Sequence, residues 1–166
     1  VGMTGIRLEA DVIIIDALTP YLKSLAKVIN ENEIEVTEFV YSPLASAKAV
    51  LNKKVREHGA ASLDFGGGLC HLAVFEEGGL IGTTVFPIGS SHITNDIAVC
   101  LKTDIDTAEK IKLEFGSCRL SSGLRRSDKK VKIEGEESLI FSPKALTEII
   151  EARVGEIFNL TNKEIK

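Results

Sequence analysis

Tryptophan is absent from this chain and aromatic residues make up only 5% of it, which leaves few platforms on which single-stranded bases could stack. Positive charge is not in excess either. Twenty lysines and arginines stand against 24 acids, a net charge of −4, so nothing in the overall balance favours nucleic acid. Cysteine is scarce: Cys70, Cys100 and Cys118 are odd in number and form no CxxC pair. That argues against a disulfide framework or a structural zinc site and fits a reducing cytosol. His58, His71 and His92 show no HExxH-type spacing. No apolar run approaches the roughly 20 residues of a membrane span, and no signal peptide opens the chain. It begins at Val1 rather than at methionine and stops at Lys166 inside a helical pattern, so both ends read as cut.

What is present suits a folded protein. The chain has 166 residues, 44% apolar and 27% charged, enough for one or two compact units with a real core. Residues 7 to 16, RLEADVIIID, alternate and then become continuously apolar, which predicts a strand. Thr19-Pro20 reads as an N-cap with proline at the first helical position, followed by Leu22, Leu25, Ala26 and Ile29 at helical spacing, so 20 to 31 is an expected helix. A second strand is expected at 34 to 41, and a short helix capped by Ser42-Pro43 carries Leu44, Ala47, Val50 and Leu51. Strand–helix–strand–helix is the pattern of a layered α/β protein.

The rhythm then changes. Runs 60 to 65, 69 to 76 and 79 to 88 are separated only by GGG and EEGG, which allow hairpins but no helical crossover. Helices are expected at 90 to 101 and 104 to 115, the second closed by Gly116. Residues 117 to 137 are polar and charged, with one short strand at 130 to 134. A strand ending in LIFSP leads to a long helix capped by Ser142-Pro143, with a core face of Leu146, Ile149, Ile150, Val154, Ile157 and Phe158.

Three places carry candidate chemistry. In LDFGGGLCHLAVF, Gly66, Gly67 and Gly68 join two apolar runs, and on spacing alone a simple turn is the commoner reading. Asp64 raises the alternative, because a carboxylate in an apolar strand needs a partner such as a cation-bound water. Bare glycine amides can also converge on phosphate. This is neither a P-loop nor a dinucleotide fingerprint. In PIGSSHITNDIA, Gly89 and Ser90-Ser91 lead into a helix whose free N–H groups favour an anion, although a serine cap with a solvated Asp96 is the simpler account. In DTAEKIKLEFG, Glu109 and Lys112 share a helix edge and suit ribose hydroxyls and a base, or simply form an i, i+3 surface pair. Arg119, Arg125, Arg126, Lys129, Lys130 and Lys132 form a basic cluster interleaved with acids, read as a solvated excursion rather than a nucleic-acid patch. Cys70 reads as a small core residue, His71 as packed or surface, and Arg153 as the partner of a neighbouring acid.

Taken in order, DFGGGLCHLAVF, PIGSSHITNDIAVCL and DTAEKIKLEFG resemble the FtsA family of actin-like bacterial cell-division proteins. VGMTGIRLEADV, SPLASAKAVL and LTEIIEARVGEIF are similar to it too, so the likeness covers nearly the whole chain. The MreB family shares the glycine loop and the AEKIK-type helix, but RLEADV, PLASA and HITNDIA favour FtsA. The resemblance implies the α/β ribonuclease-H-like actin fold, incomplete here. Residues 1–18 would close an inserted subdomain, 19–58 finish the first actin-like half, and 59–166 form most of the second. The family's first phosphate loop, its adenine-binding segment and its membrane-binding helix would lie outside the chain.

By the same resemblance, ATP and Mg²⁺ are the cofactors. Asp64 faces the metal and orients the attacking water, Gly66, Gly67, Gly68 and Leu69 form the phosphate loop, Gly89 and Asp96 lie beneath it, and Glu109 and Lys112 face the nucleoside. The family loop usually reads DIGGGTTDIA. Leu69 stands here at its first threonine and His71 at its second aspartate, which removes a hydroxyl and a carboxylate and argues against efficient hydrolysis. The implied role is to polymerise, to link the FtsZ ring to the cytoplasmic membrane from its inner face, and to recruit later division proteins, with no nucleic-acid partner. An MreB-like cell-shape filament ATPase and a nucleotide-free scaffold are the alternatives.

Overall fold

The computed structural model describes residues 5–7, 9–10, 12–119, 131–133 and 139–166. Ala60–Phe65 (β1), Cys70–Glu76 (β2) and Gly79–Phe86 (β3) form a sheet in the order β1-β2-β3. The links, residues 66–69 and 77–78, are far shorter than a parallel crossover, so the strands run as the expected hairpins. At the second bend φ is positive at both central residues, 51° at Glu77 and 82° at Gly78, as in the turns whose twist matches that of paired strands.

The chain divides into two compact units, Val1–Ser62 with Ala73–Thr83, and Leu63–Leu72 with Thr84–Lys166. In the first, Thr19–Asn30 (α1), Ser42–Val50 (α2) and Lys53–Glu57 (α3) accompany the turn-side parts of β2 and β3. Ala47, Ala73 and Phe75 are buried together, with Leu44, Leu51 and Leu80 packed against them. The helix α3 was not foreseen. Its signal is Asn52, whose side chain accepts the Val55 N–H at 3.0 Å and so satisfies one of the donors a helix start leaves open.

Two expected strands do not form. The described parts of residues 7 to 16, and all of 34 to 41, lack regular structure. A strand persists only where a neighbour takes its backbone N–H and C=O groups, and Ile14 and Val40 stand 86% and 57% exposed. The threonine and serine caps also differ from expectation. Leu18 and Tyr41 occupy the cap positions of α1 and α2, and neither makes a side-chain cap bond; Thr19 and Ser42 are already helical. No residue of α1 is buried.

The second unit holds Ser90–Leu101 (α4), Ile105–Phe115 (α5), the antiparallel hairpin of Val131–Ile133 (β4) with Leu139–Phe141 (β5), and Pro143–Glu164 (α6). Its core joins Ile93, Ile97 and Ala98 of α4, Ala108 and Ile111 of α5, Phe141, and Leu146 and Ile150 of α6. Phe115 meets Phe141 edge-on with ring centres 5.7 Å apart. On α6 the expected core face is only partly right: Leu146, Ile150 and Ile157 are buried, but Phe158 is 58% exposed. Asp104 caps α5 through the Thr107 N–H at 2.9 Å, and hydrogen bonding from the Thr107 side chain, with that N–H behind it, holds its carboxyl below the usual range. Gly116 closes α5 with extended rather than left-handed backbone. It is glycine because a Cβ there would collide with the Lys112 carbonyl. Of the basic cluster, Arg125, Arg126, Lys129 and Lys130 lie outside the described residues.

Candidate functional site

The glycine loop lies on the start of α4. Ser90 N–H donates to the Gly66 carbonyl at 2.9 Å and Ser91 N–H to the Gly67 carbonyl at 2.8 Å. Gly66 N–H closes the bend on the Leu69 carbonyl at 3.0 Å. The backbones approach so closely that a Cβ on Gly89 would collide with the carbonyl oxygens of both Gly66 and Gly67. Gly89 is therefore glycine for want of space, since its φ of −164° is open to any residue. Its own N–H donates to His92 Nδ1 at 3.1 Å, and the His92 N–H donates back to the Gly89 carbonyl at 3.0 Å.

These bonds alter the expectation for the helix terminus. The N–H groups of Ser90, Ser91 and His92 are committed to protein carbonyls, not free for an anion. The open donors lie on the loop itself. Among the described residues, the N–H groups of Gly67 and Gly68 donate to no protein acceptor. Both glycines are exposed, and a Cβ on Gly68 would meet nothing within 4 Å. Leu69 is 45% exposed at the loop's end.

Asp64 precedes the loop on β1, half-buried and with a partner inside the protein. Cys70 follows it, fully buried. Burial pushes the thiol up, and the Asp64 charge adds to this against a backbone hydrogen bond at Gly66. Cys70 is thus a core residue, as expected, while His71 is half-buried with a buried Nδ1 that finds no hydrogen-bond partner. Among the described residues no three His, Cys, Asp or Glu side chains are grouped to hold a metal unaided. A single carboxylate suits magnesium only together with a phosphate ligand, since that ion keeps most of its waters and binds through one or two carboxylates and phosphate oxygens.

Glu109 and Lys112 do form an ion pair, at 2.7 Å, but they are more than a surface pair. Lys112 Nζ also donates to Thr94 Oγ1 at 2.8 Å and to the Ser90 carbonyl at 3.4 Å, so its three protons are all in use. The Thr94 hydroxyl donates to Glu109 Oε2 at 2.5 Å. The Lys112 and Thr94 bonds hold the Glu109 carboxyl below its usual value against the opposing effect of burial. Ser90 links the two halves of the site, its N–H on the glycine loop and its C=O under Lys112. Thr94 was missed in the sequence, where a threonine four residues into a helix carries no signal of its own.

The simpler account of a serine cap with a solvated Asp96 does not hold: Gly89 occupies the cap position, and Asp96 is paired. Arg153 of α6 clamps both its oxygens, Nε to Oδ2 at 2.6 Å and Nη2 to Oδ1 at 2.8 Å, and reaches Glu156 with Nη1 at 2.6 Å. The expectation that Arg153 pairs with an acid holds, and its own pKa is raised, chiefly by the Asp96 bonds. The pair lines a groove of about 590 Å³ between α4 and α6 that no glycine-loop residue touches.

Residues 61–148, just over half of the chain, match the family described as cell division protein FtsA. Cell division protein FtsA of Pseudomonas aeruginosa is 34% identical over 99% of the chain, and that of Bacillus subtilis is 33% identical over 99%. The chain spans 40% and 38% of their lengths. Among solved structures, MreB5 of Spiroplasma citri bound to ADP aligns with a TM-score of 0.69 at 18% identity, over 89% of this chain and 47% of that one. The ethanolamine utilization protein EutJ of Carboxydothermus hydrogenoformans aligns with a TM-score of 0.53 at 26% identity, over 60% of this chain and 35% of that one. The fold is that of the actin-like ATPases.

Proposed function

Because the chain belongs to the FtsA family of cell-division proteins, we propose that it supplies the second phosphate loop and the nucleoside edge of an ATP site in an actin-like division protein. The observation that carries this reading is the pair of uncommitted, exposed amides at Gly67 and Gly68 beside Asp64, on a loop bonded to α4. Water satisfies such amides in an ordinary turn, and amides placed to meet one anion lower the cost of holding phosphate oxygens. A protein of similar fold, MreB5 of Spiroplasma citri, has been crystallised with ADP and with AMPPNP. Magnesium, when bound, neutralises phosphate charge, and Asp64 is the carboxylate that faces it. Gly67 and Gly68 take phosphate oxygens, and Glu109 takes the nucleoside. Lys112, with every donor engaged, fastens α5 to α4 rather than touching the ligand.

Within that reading the nucleotide serves assembly more than turnover. Leu69 supplies no hydroxyl and His71 no carboxylate at the loop, leaving Asp64 alone to orient an attacking water. The assembly itself follows the family: a self-associating filament that ties the FtsZ ring to the inner face of the membrane, through a segment beyond this chain, and recruits later division proteins. Among the described residues no helix is long and apolar enough to cross a membrane.

Calorimetric titration of the intact protein with Mg-ATP tests the proposal. Saturable binding that weakens in Asp64→Ala supports it, and silence at millimolar ligand favours the alternative of a nucleotide-free scaffold. The isolated chain is expected not to turn over ATP. Steady-state hydrolysis that disappears in Asp64→Ala overturns that expectation. Co-sedimentation with FtsZ and with lipid vesicles tests the assembly role.

A further inference from the structure

Thr94 is 3% exposed and is the one buried side chain in the cluster it forms with Glu109 and Lys112. A buried hydroxyl needs a partner, and this one has several. It accepts from Lys112 Nζ at 2.8 Å, which leaves its proton for Glu109 Oε2 at 2.5 Å, with the Ser90 carbonyl farther away at 3.2 Å. Lys112 and Thr94 therefore pin the same oxygen of Glu109. A carboxylate held at one oxygen by two donors from two helices has its plane fixed. Its other oxygen, Oε1, has no partner among the described residues, and the Glu109 side chain remains 42% exposed. Such an oxygen is an acceptor already oriented before any ligand arrives, which removes the ordering cost a free glutamate would carry.

Resting on the nucleotide reading above, we infer that Thr94 is a positioning residue that turns Glu109 Oε1 toward a hydroxyl of a sugar diol and so selects ribonucleotides over deoxyribonucleotides. Thr94 touches no ligand itself. It acts by carrying the Glu109 carboxylate on the helix whose first residues hold the glycine loop, so that the phosphate and sugar contacts belong to one rigid frame. Lysine alone does not achieve this, because an ammonium on a flexible stem fixes distance but not the plane of the carboxylate.

Two measurements on the intact protein test this, one without nucleotide. In ligand-free protein, the Glu109 carboxyl carbon is followed by NMR as pH falls, in wild type and in Thr94→Val, with Thr94→Cys as the substitute should valine prevent folding. Loss of the hydroxyl bond is expected to move the Glu109 titration upward toward its ordinary value, and Thr94→Ser to restore it. An unchanged titration overturns the inference. Saturation-transfer NMR with Mg-ATP, 2′-deoxy-ATP and 3′-deoxy-ATP then reads selectivity. Wild type is expected to favour ATP over at least one deoxy analogue by about tenfold or more, as for a hydrogen bond to a charged group. That preference should fall below about twofold in Thr94→Val while the binding of the deoxy analogue holds. A purely structural threonine would weaken all three nucleotides alike, which overturns the inference while leaving the nucleotide reading intact. Binding of none of the three to wild type overturns both.

Discussion

Four glycines near one another in space do different work at the residue scale. Gly89 has an ordinary backbone conformation yet no room for a Cβ against the Gly66 and Gly67 carbonyls, so Gly89→Ala must push the loop off α4. The expected cost is about 2–3 kcal/mol, within the usual span for a disruptive substitution, read as a lower denaturation midpoint. Gly68 faces open space and lacks a positive φ, so Gly68→Ala should leave stability within about 0.5 kcal/mol while weakening Mg-ATP binding by covering a loop amide. Equal loss of stability in the two variants would contradict this division of roles. Glu109 supplies a pH test. Its folded pKa lies below the ordinary 4.5, so its contribution is present above that value and is lost as pH falls below it. The stability gap between wild type and Glu109→Gln should therefore close under acid conditions. The gap should stay under about 1 kcal/mol, because water screens a side chain this exposed.

At the scale of elements, α4 is the beam on which the site rests. One end bears the glycine loop, one side is tied to α5 through Thr94, and another to α6 through the two-pronged contact of Arg153 with Asp96. Both members of that contact are about a quarter exposed, between the weak surface pair and the costly buried one. A double-mutant cycle of Asp96→Asn and Arg153→Met is expected to show a coupling of about 1 kcal/mol in denaturation free energy. A coupling of zero would mean that solvent screens the pair completely. Arg153→Lys should recover only part of it, since an ammonium cannot present two parallel donors to one carboxylate.

At the scale of the molecule, the conspicuous property is apolar surface without cover. Val12, Ile14, Ile34 and Val40 are all more than half exposed, in segments that have no regular structure. Large apolar side chains left this exposed favour association wherever they meet a partner surface. The isolated chain should therefore associate. Sedimentation velocity is expected to show species larger than a monomer, shifted toward the monomer by the paired substitutions Ile14→Lys and Val40→Lys. A stable monomer at high concentration would remove the basis for this expectation.

Local pattern alone determined the three hairpin strands, the α4 and α5 helices and the start of α6, because period and turn chemistry act within a few residues of chain. The same local rules marked the glycine loop, Glu109 and Lys112 as places of interest. They failed at 7–16 and 34–41, where apolar alternation describes a strand but pairing decides whether one exists. Only the tertiary structure decided who holds what. It set α4 against the loop so that Ser90 and Ser91 spend their amides on Gly66 and Gly67, gave Asp96 to Arg153, and brought buried Thr94 to Glu109. Each of those outcomes depends on contacts between groups distant in the chain. A side chain's chemistry can be read from its letter, but its partner is set by which distant segment the packing brings within hydrogen-bond reach.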